Sequence, residues 1–343
     1  MKTPYTVKKW QLLRWRAKEE AVDLREADFV AVGKRAFYKN RVMESVELPT
    51  STSAIKTEAF ARCKRLCSVA LSDAGNVGLS RGVFRDCTRL REVKNAEKLT
   101  GVGDFAFDGC RNLPTLPFAH DLRKIGEYAF RGCESFDRLT LPKSVELMGR
   151  GAFFGCTELK SVTMEEGLKA IGRDAFRGCI SLADVTFSSA MREIPSGAFR
   201  DCASLTELVI PAEITAIGSR AFASCARLSE VRVELGTVTV GAQAFADTPR
   251  LRTVYLPRSV KRLKLGAFGF GSCPDEEKTV ICVENEYMKR RIKRQLLFCL
   301  SFGRARVEVI GKTIEERKRE RRRATLEQTP VHLIAQEHED ESV

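Results

Sequence analysis

Long apolar runs are missing from this 343-residue chain: the longest uncharged hydrophobic pieces, such as Leu296 to Leu300, hold only a few residues. A membrane-spanning helix needs roughly 18 or more, so none is expected and membrane insertion is excluded. Histidine is scarce at 3 residues, of which only His120 falls in the central part of the chain, with no recurring cysteine or carboxylate set around it. That poverty excludes the usual imidazole-based general-base and metal-ligand constellations. No Walker loop, zincin helix or nucleophile elbow is present, and Gly101-Val-Gly103-Asp-Phe-Ala106 matches a dinucleotide loop only in form, because no strand–helix–strand unit surrounds it. Neither a cofactor nor a metal is implied, and the chain does not read as an enzyme. The first 18 residues carry six bases and no acid. Lysine and arginine interrupt every apolar stretch there, so a secretory signal is not expected and the reading places the protein in the cytoplasm; a polar cap is preferred over a transit peptide.

A strict internal period is what the chain does have. Eleven phenylalanines, Phe37, Phe60, Phe84, Phe107, Phe130, Phe153, Phe176, Phe199, Phe222, Phe245 and Phe268, follow one another in nine steps of 23 and one of 24 residues. Alanine precedes each of them except Phe84, which follows Val83, and the third residue after the Phe is Cys in eight rows: Cys63, Cys87, Cys110, Cys133, Cys156, Cys179, Cys202 and Cys225. Self-similarity at this period marks a solenoid, in which each unit buries its apolar face only against its neighbours. Within the row from Phe153, Val162 and Met164 stand two apart with Thr163 between them, the alternation of a half-buried strand. Ile171, Ala175, Phe176 and Cys179 share one face of a short helical turn, so each row is expected to hold one strand and one such turn. Glycine four residues before many of the Phe positions, as at Gly103, Gly126, Gly149 and Gly172, marks a backbone site that is tight or has positive φ. Twelve cysteines invite a disulfide framework, but side chains aligned on rungs about 4.8 Å apart do not converge as a bridge requires. The column reads as small buried hydrophobes, and Cys63 with Cys67 lacks the second ligand pair of a zinc site.

Rows such as AFRGCISLADVTFSSAMREIPSGAF resemble the BspA-like leucine-rich repeats, from about Ala27 to Val283. That resemblance implies a right-handed solenoid with a binding role, often in adhesion at a cell surface. The fold class expected is thus an α/β solenoid, a leucine-rich repeat array of 23-residue rows with terminal caps: residues 1–26 as the first cap, 27–283 as repeats, 284–311 as a helix-and-strand cap with Tyr287, Ile292, Leu296 and Cys299 or Leu300 on its apolar side, and 312–343 as a charged tail.

In such an array the outward strand residues are free from core duty and form the natural reading surface. Arg138, Thr140, Thr163, Asp184, Thr186, Glu207, Val209, Glu230, Arg232 and Tyr255 are the candidates, with Arg232 and Tyr255 foremost because Arg and Tyr are enriched at binding hot spots. The function expected is a non-enzymatic protein–protein interaction module with an adhesion-like or scaffold role. A second reading comes from the basic excess, Lys+Arg 58 against Asp+Glu 45. Arg85, Arg131, Arg150, Arg173, Arg177 and Arg200 recur beside the Phe column, and Lys312 to Arg323 contains RKRERRR; together they suggest nucleic acid or an acidic partner. No aromatic ladder interleaves that stripe, which makes nucleic acid the weaker option.

Overall fold

The computed structural model describes residues 6–7, 19–27, 29–74, 76–118, 120–269, 278–298 and 303–310. Most of the first cap, Cys273, Cys299, Leu300, His332, His338 and the basic stretch Lys312 to Arg323 lie outside them. Within them the chain winds as a solenoid of parallel strands. Arg138 pairs with Ser161 and Ser161 with Asp184, while Glu207 pairs with Glu230 and Glu230 with Thr253, each step being one repeat. Alternation along a strand divides its residues between two environments: in Arg138–Leu141 the leucines are buried and Arg138 and Thr140 face outward.

The phenylalanine column forms the centre of the core. Successive rings lie 4.9 to 5.8 Å apart between centroids, with planes inclined by no more than 19°. Every ring from Phe60 to Phe245 is fully buried. Rungs stacked at strand spacing bring identical side chains into offset-parallel contact, one of the arrangements that aromatic quadrupoles favour.

The segment around each Phe, expected as a short helical turn, is a run of hydrogen-bonded turns and not a helix. Its amide hydrogens alternate between two destinations. The N–H groups of Arg35, Phe37 and Lys39 donate to the carbonyls of Thr57, Ala59 and Ala61 on the next rung, at 3.0, 2.7 and 2.9 Å. Those of Ala36, Tyr38 and Asn40 donate back to Gly33, Arg35 and Phe37 within the same rung. All six donors are satisfied without a helical ladder. The alternation places the residues two before and two after the Phe in the left-handed region, among them Arg35, Lys39, Glu58, Arg62, Phe105, Tyr128, Asp174 and Asp201. The glycines four before the Phe meet the other of the two expectations, close approach. None of Gly103, Gly126, Gly149, Gly172, Gly218 and Gly241 has positive φ, and a Cβ on each would lie 2.3 to 2.7 Å from backbone of the preceding rung. Gly172→Ala puts its methyl 2.3 Å from the Arg150 amide nitrogen, so the rungs must separate locally. We expect a loss of about 1–3 kcal/mol, the range of overpacked cores. Gly101→Ala, whose Cβ meets nothing within 4 Å, should stay near wild type in the same urea titration.

Two features depart from one strand per row. A second ladder of short strands runs along another side of the coil, through Ala31–Val32, Ala54–Ile55, Val77–Leu79, Leu99–Val102, Lys124–Ile125 and Leu147–Met148, and again through Glu193–Ile194, Ala216–Ile217, Thr239–Val240 and Arg262–Leu263. The outward ladder itself is broken into sheets of four, three and five strands. In the row from Phe107 the expected strand does not form, because Pro114 and Pro117 remove two of its amide donors. In that row, and again in the row from Phe176 at the second break, a phenylalanine stands where most other rows have Leu, Met, Ile or Val and the row from Phe84 has Asn95. Phe118 and Phe187 pack edge-on against the next column rings, Phe130 at 5.8 Å and Phe199 at 5.7 Å.

At the far end the helix Glu286–Phe298 begins with Asn285, whose Oδ1 accepts the Met288 amide at 2.9 Å. It buries Met288, Ile292 and Leu296, an i, i+4, i+8 stripe. Tyr287, expected on that apolar side, is 73% exposed, because its position is a quarter turn from the stripe. Strand Ala305–Val309 pairs in parallel with Thr279–Val283 and supplies the expected closing edge.

Candidate functional site

The three-stranded and five-stranded sheets gather the outward candidates into registered columns. Thr140, Thr163 and Thr186 lie on adjacent strands, as do Arg138, Ser161 and Asp184. Across the five-stranded sheet Val209 pairs with Arg232 and Arg232 with Tyr255, beside Glu207, Glu230 and Thr253. The break after Asp184–Thr186 divides the ten candidates into two groups of five that do not share one hydrogen-bonded sheet. In the second group the Arg232 guanidinium lies 4.7 Å from the Tyr255 ring centroid, and its Nη2 is 3.7 Å from Glu230 Oε1. Val209, one strand away, is 52% exposed although it is a large hydrophobe. The row combines an exposed valine, a stacked Arg–Tyr pair and flanking carboxylates on hydrogen-bonded strands.

Arginines of the second reading are not a bare cationic stripe. Asp108, with a side chain 5% exposed, accepts two parallel hydrogen bonds from Arg131, Nε to Oδ1 and Nη2 to Oδ2, each 2.8 Å, and its Oδ2 also lies 3.2 Å from Arg85 Nε. The hydrogen bond to Asp108 holds the Arg131 guanidinium even more firmly protonated than usual. Asp174 stands between Arg150 at 3.8 Å and Arg177 at 3.9 Å, and Asp201 lies 3.2 Å from Arg177 and 3.5 Å from Arg200. Arg173 has a place beside Arg150 and Arg200 in the lining of a shallow cleft of about 400 Å³. The aspartates occupy the two left-handed positions or the residue after the Phe; only Asp108 shares a column with the arginines, so a column count finds that one and misses Asp174 and Asp201.

Aromatic rings also interleave the stripe, which corrects the expectation that none does. Phe105 and Tyr128 stack at 5.4 Å. Arg81, Arg85 and Arg131 lie over Phe105, Arg131 and Arg150 over Tyr128, and Arg177 over Phe154, all within 5.9 Å of the centroids. Phe105 and Tyr128 occupy the left-handed position two before the Phe, outside the columns that recur as apolar, which is why the periodicity does not reveal them.

The cysteine column is buried and unbridged. Each of the eight thiols lies 3.0 to 3.3 Å from the carbonyl of the Phe on the preceding rung and donates to it: Cys63 to Phe37, Cys179 to Phe153, Cys225 to Phe199. Burial pushes the Cys179 and Cys225 thiols up to about 12 and raises those of Cys87, Cys110, Cys133, Cys156 and Cys202 as well. Such thiols are poor nucleophiles. Among the described residues no group of three or more His, Cys, Asp and Glu side chains is arranged to hold a metal ion, and no helix is long and apolar enough to cross a membrane. His120 is exposed.

The family model described as the BspA type leucine rich repeat region matches residues 30–160 and 147–273, in six copies. The chain is similar to the crystal structure of a leucine rich cell surface protein from Faecalibacterium prausnitzii, with a TM-score of 0.52 at 20% identity over 88% of this chain and 90% of that one. It is likewise similar to the pneumococcal vaccine antigen PcpA, with a TM-score of 0.52 at 16% identity over 85% of this chain and 79% of that one. At these identities the likeness is one of fold. None of the curated proteins matches.

Proposed function

Since the chain belongs to the BspA-type leucine-rich repeat family, we propose that it is a non-enzymatic interaction module that binds another protein through the outward face of its five-stranded sheet. The observation that carries this reading is the registered row Val209–Arg232–Tyr255, in which an exposed hydrophobe adjoins a cation stacked on an aromatic ring. The residues that recur from rung to rung are packing residues, whereas this row varies from rung to rung, as recognition surfaces on a solenoid do. Thr140, Thr163, Thr186, Arg138 and Asp184 supply a second, more polar patch. Arg232→Ala combined with Tyr255→Ala should leave the melting temperature near wild type and weaken capture of the partner by roughly 30-fold, the equivalent of about 2 kcal/mol at a hot spot. Quantitative affinity capture against the same lysate reads the difference; equal enrichment by wild type and variant would refute the assignment. Ten cysteines among the described residues are unbridged, which is compatible with a reducing, cytoplasmic setting; cell fractionation tests that setting directly.

The interleaved Phe105, Tyr128 and Phe154 rings favour a second reading, association of the arginine stripe with nucleic acid or an acidic partner. Asp108, Asp174 and Asp201 oppose it by occupying the same guanidinium groups. Its signature is RNA or DNA binding that weakens steeply with salt and is lost on deletion of 312–323.

A further inference from the structure

A concave feature away from these faces lies over the first rungs. It is an open cleft of about 680 Å³ lined by Lys39, Arg41, Arg62, Lys64, Arg65, Asp86 and Thr88. Five cationic side chains therefore line it with one carboxylate. Three of the five are partly engaged: Arg65 pairs with Glu44 and, at 3.4 Å, with Glu20, Arg62 Nε lies 3.3 Å from Asp86 Oδ2, and Lys39 Nζ lies 5.4 Å from the Tyr38 ring centroid. Lys39, Arg41 and Lys64 have no carboxylate partner among the described residues. Along the rest of the stripe the opposite holds, because an aspartate is placed against nearly every arginine.

Repeat arithmetic shows that the cleft is a departure and not a by-product of the fold. Lys39, Arg62 and Asp86 stand two residues after their Phe, and Arg41, Lys64 and Thr88 four after. In the four rungs that follow, the first column holds Gly109, Gly132, Gly155 and Gly178, residues suited to its left-handed backbone. Only the first two rungs place long cationic side chains there, at φ of 59° for Lys39 and 63° for Arg62, where an L-residue is disfavoured. Their backbones are held in place: the Lys39 and Arg62 amides donate to Ala61 and Arg85 at 2.9 and 2.7 Å. Asn40, standing where later rungs have cysteine, accepts the Val42 and Met43 amides on its Oδ1 at 2.9 and 2.8 Å and so fixes the loop that carries Arg41. The cations are thus arranged on a rigid frame before any ligand arrives.

We propose that this cleft is an anion-binding site for a compact group with adjacent phosphates, a pyrophosphate or oligophosphate, separate from the sheet face that recognises protein. A volume of this size accepts a small molecule. Lys39, Arg41, Lys64 and the unengaged edge of Arg62 offer too much charge for a single carboxylate, whereas linked phosphates concentrate several charges within reach of two neighbouring rungs. Lysine ammonium groups and arginine forks are the side chains that hold phosphate oxygens.

The test is isothermal titration of the full chain with inorganic pyrophosphate and with tripolyphosphate, at low and at physiological salt. The site variant is Lys39→Asn with Lys64→Gln, Asn being chosen because it tolerates the left-handed backbone. A charge-matched control is Lys261→Gln with Lys264→Gln, two exposed lysines at the other end of the solenoid. Wild type and control should bind alike, tripolyphosphate more tightly than pyrophosphate, and the site variant at least tenfold more weakly. Arg41→Gln should weaken binding in the same direction, with thermal unfolding confirming that each variant is folded. No measurable binding by wild type, equal weakening in site variant and control, or an octaglutamate peptide that binds more tightly than tripolyphosphate in a Lys39- and Lys64-dependent way would each overturn the assignment.

Discussion

In reducing buffer the protein is expected to be stable at pH 8 and to unfold between about pH 9 and pH 10, well before its arginines or most of its lysines titrate. The cause is the thiol column. In the unfolded chain a cysteine ionises near pH 8.5, whereas in the folded chain burial keeps Cys179 and Cys225 neutral up to about 12 and raises Cys87, Cys110, Cys133, Cys156 and Cys202 too. A group whose folded value is raised contributes its full share below the unfolded value, and that share is lost as the pH climbs toward the folded one. Each such thiol therefore withdraws about 1.4 kcal/mol per pH unit above roughly 8.5. Seven acting together withdraw about 10 kcal/mol per unit, comparable with the whole stability of a typical domain. Urea midpoints at pH 7.5, 8.5 and 9.5 read this directly. Cys179→Ala should flatten the pH slope by the share of one thiol even though it lowers stability at neutral pH, and a midpoint unchanged from pH 7.5 to 9.5 would contradict the burial of the column.

Truncation of the phenylalanine column should have the next largest effect. Phe176 is fully buried, with Phe153 at 5.7 Å on one side and Phe199 at 5.4 Å on the other. Phe176→Ala removes a ring from the middle of a continuous stack, and neighbouring rungs cannot close the gap because their backbone spacing is set by the amide ladders on either side. A loss of about 3–5 kcal/mol is expected. Phe37→Ala, at the end of the described column and bordered by one stacked ring, should cost less. A Phe176→Ala protein that melts with wild type would show that the ring is not core.

How far the sequence discloses this molecule follows from what repeats. Phe, Ala and Cys recur because every rung meets the same neighbours, so their column, its burial and the inward–outward alternation of Val162, Thr163 and Met164 can be read from spacing alone. Gly172 could be recognised as special, but spacing could not distinguish close approach from positive φ. The left-handed sites carry Arg35, Glu58, Phe105 and Tyr128, side chains with no particular preference for that region, and they escape notice for that reason. Strands of two residues such as Lys124–Ile125 are too short to display a period. The interruptions at Phe118 and Phe187 depend on ring packing across rungs, although Pro114 and Pro117 gave a local warning of the first. At the candidate surface, the registered row Val209–Arg232–Tyr255 was legible because register equals the repeat length. The neutralising aspartates were not, since Asp86, Asp108, Asp174 and Asp201 sit in three different columns and meet their arginines only in three dimensions.

Removal of one rung tests the central claim, a stack of equivalent coils on a shared aromatic spine. Deleting residues 154–176, 23 in all, joins Phe153 to Arg177 and restores every column, so Arg138–Leu141 would pair with Asp184–Thr186 as it now pairs with Ser161–Met164. Deleting only 154–164 leaves every later rung out of register. The account predicts a cooperative thermal transition and retained strand signal in circular dichroism for the first deletion, and neither for the second. If the in-register deletion unfolded as the out-of-register one does, the rungs would not be interchangeable and the account would be wrong.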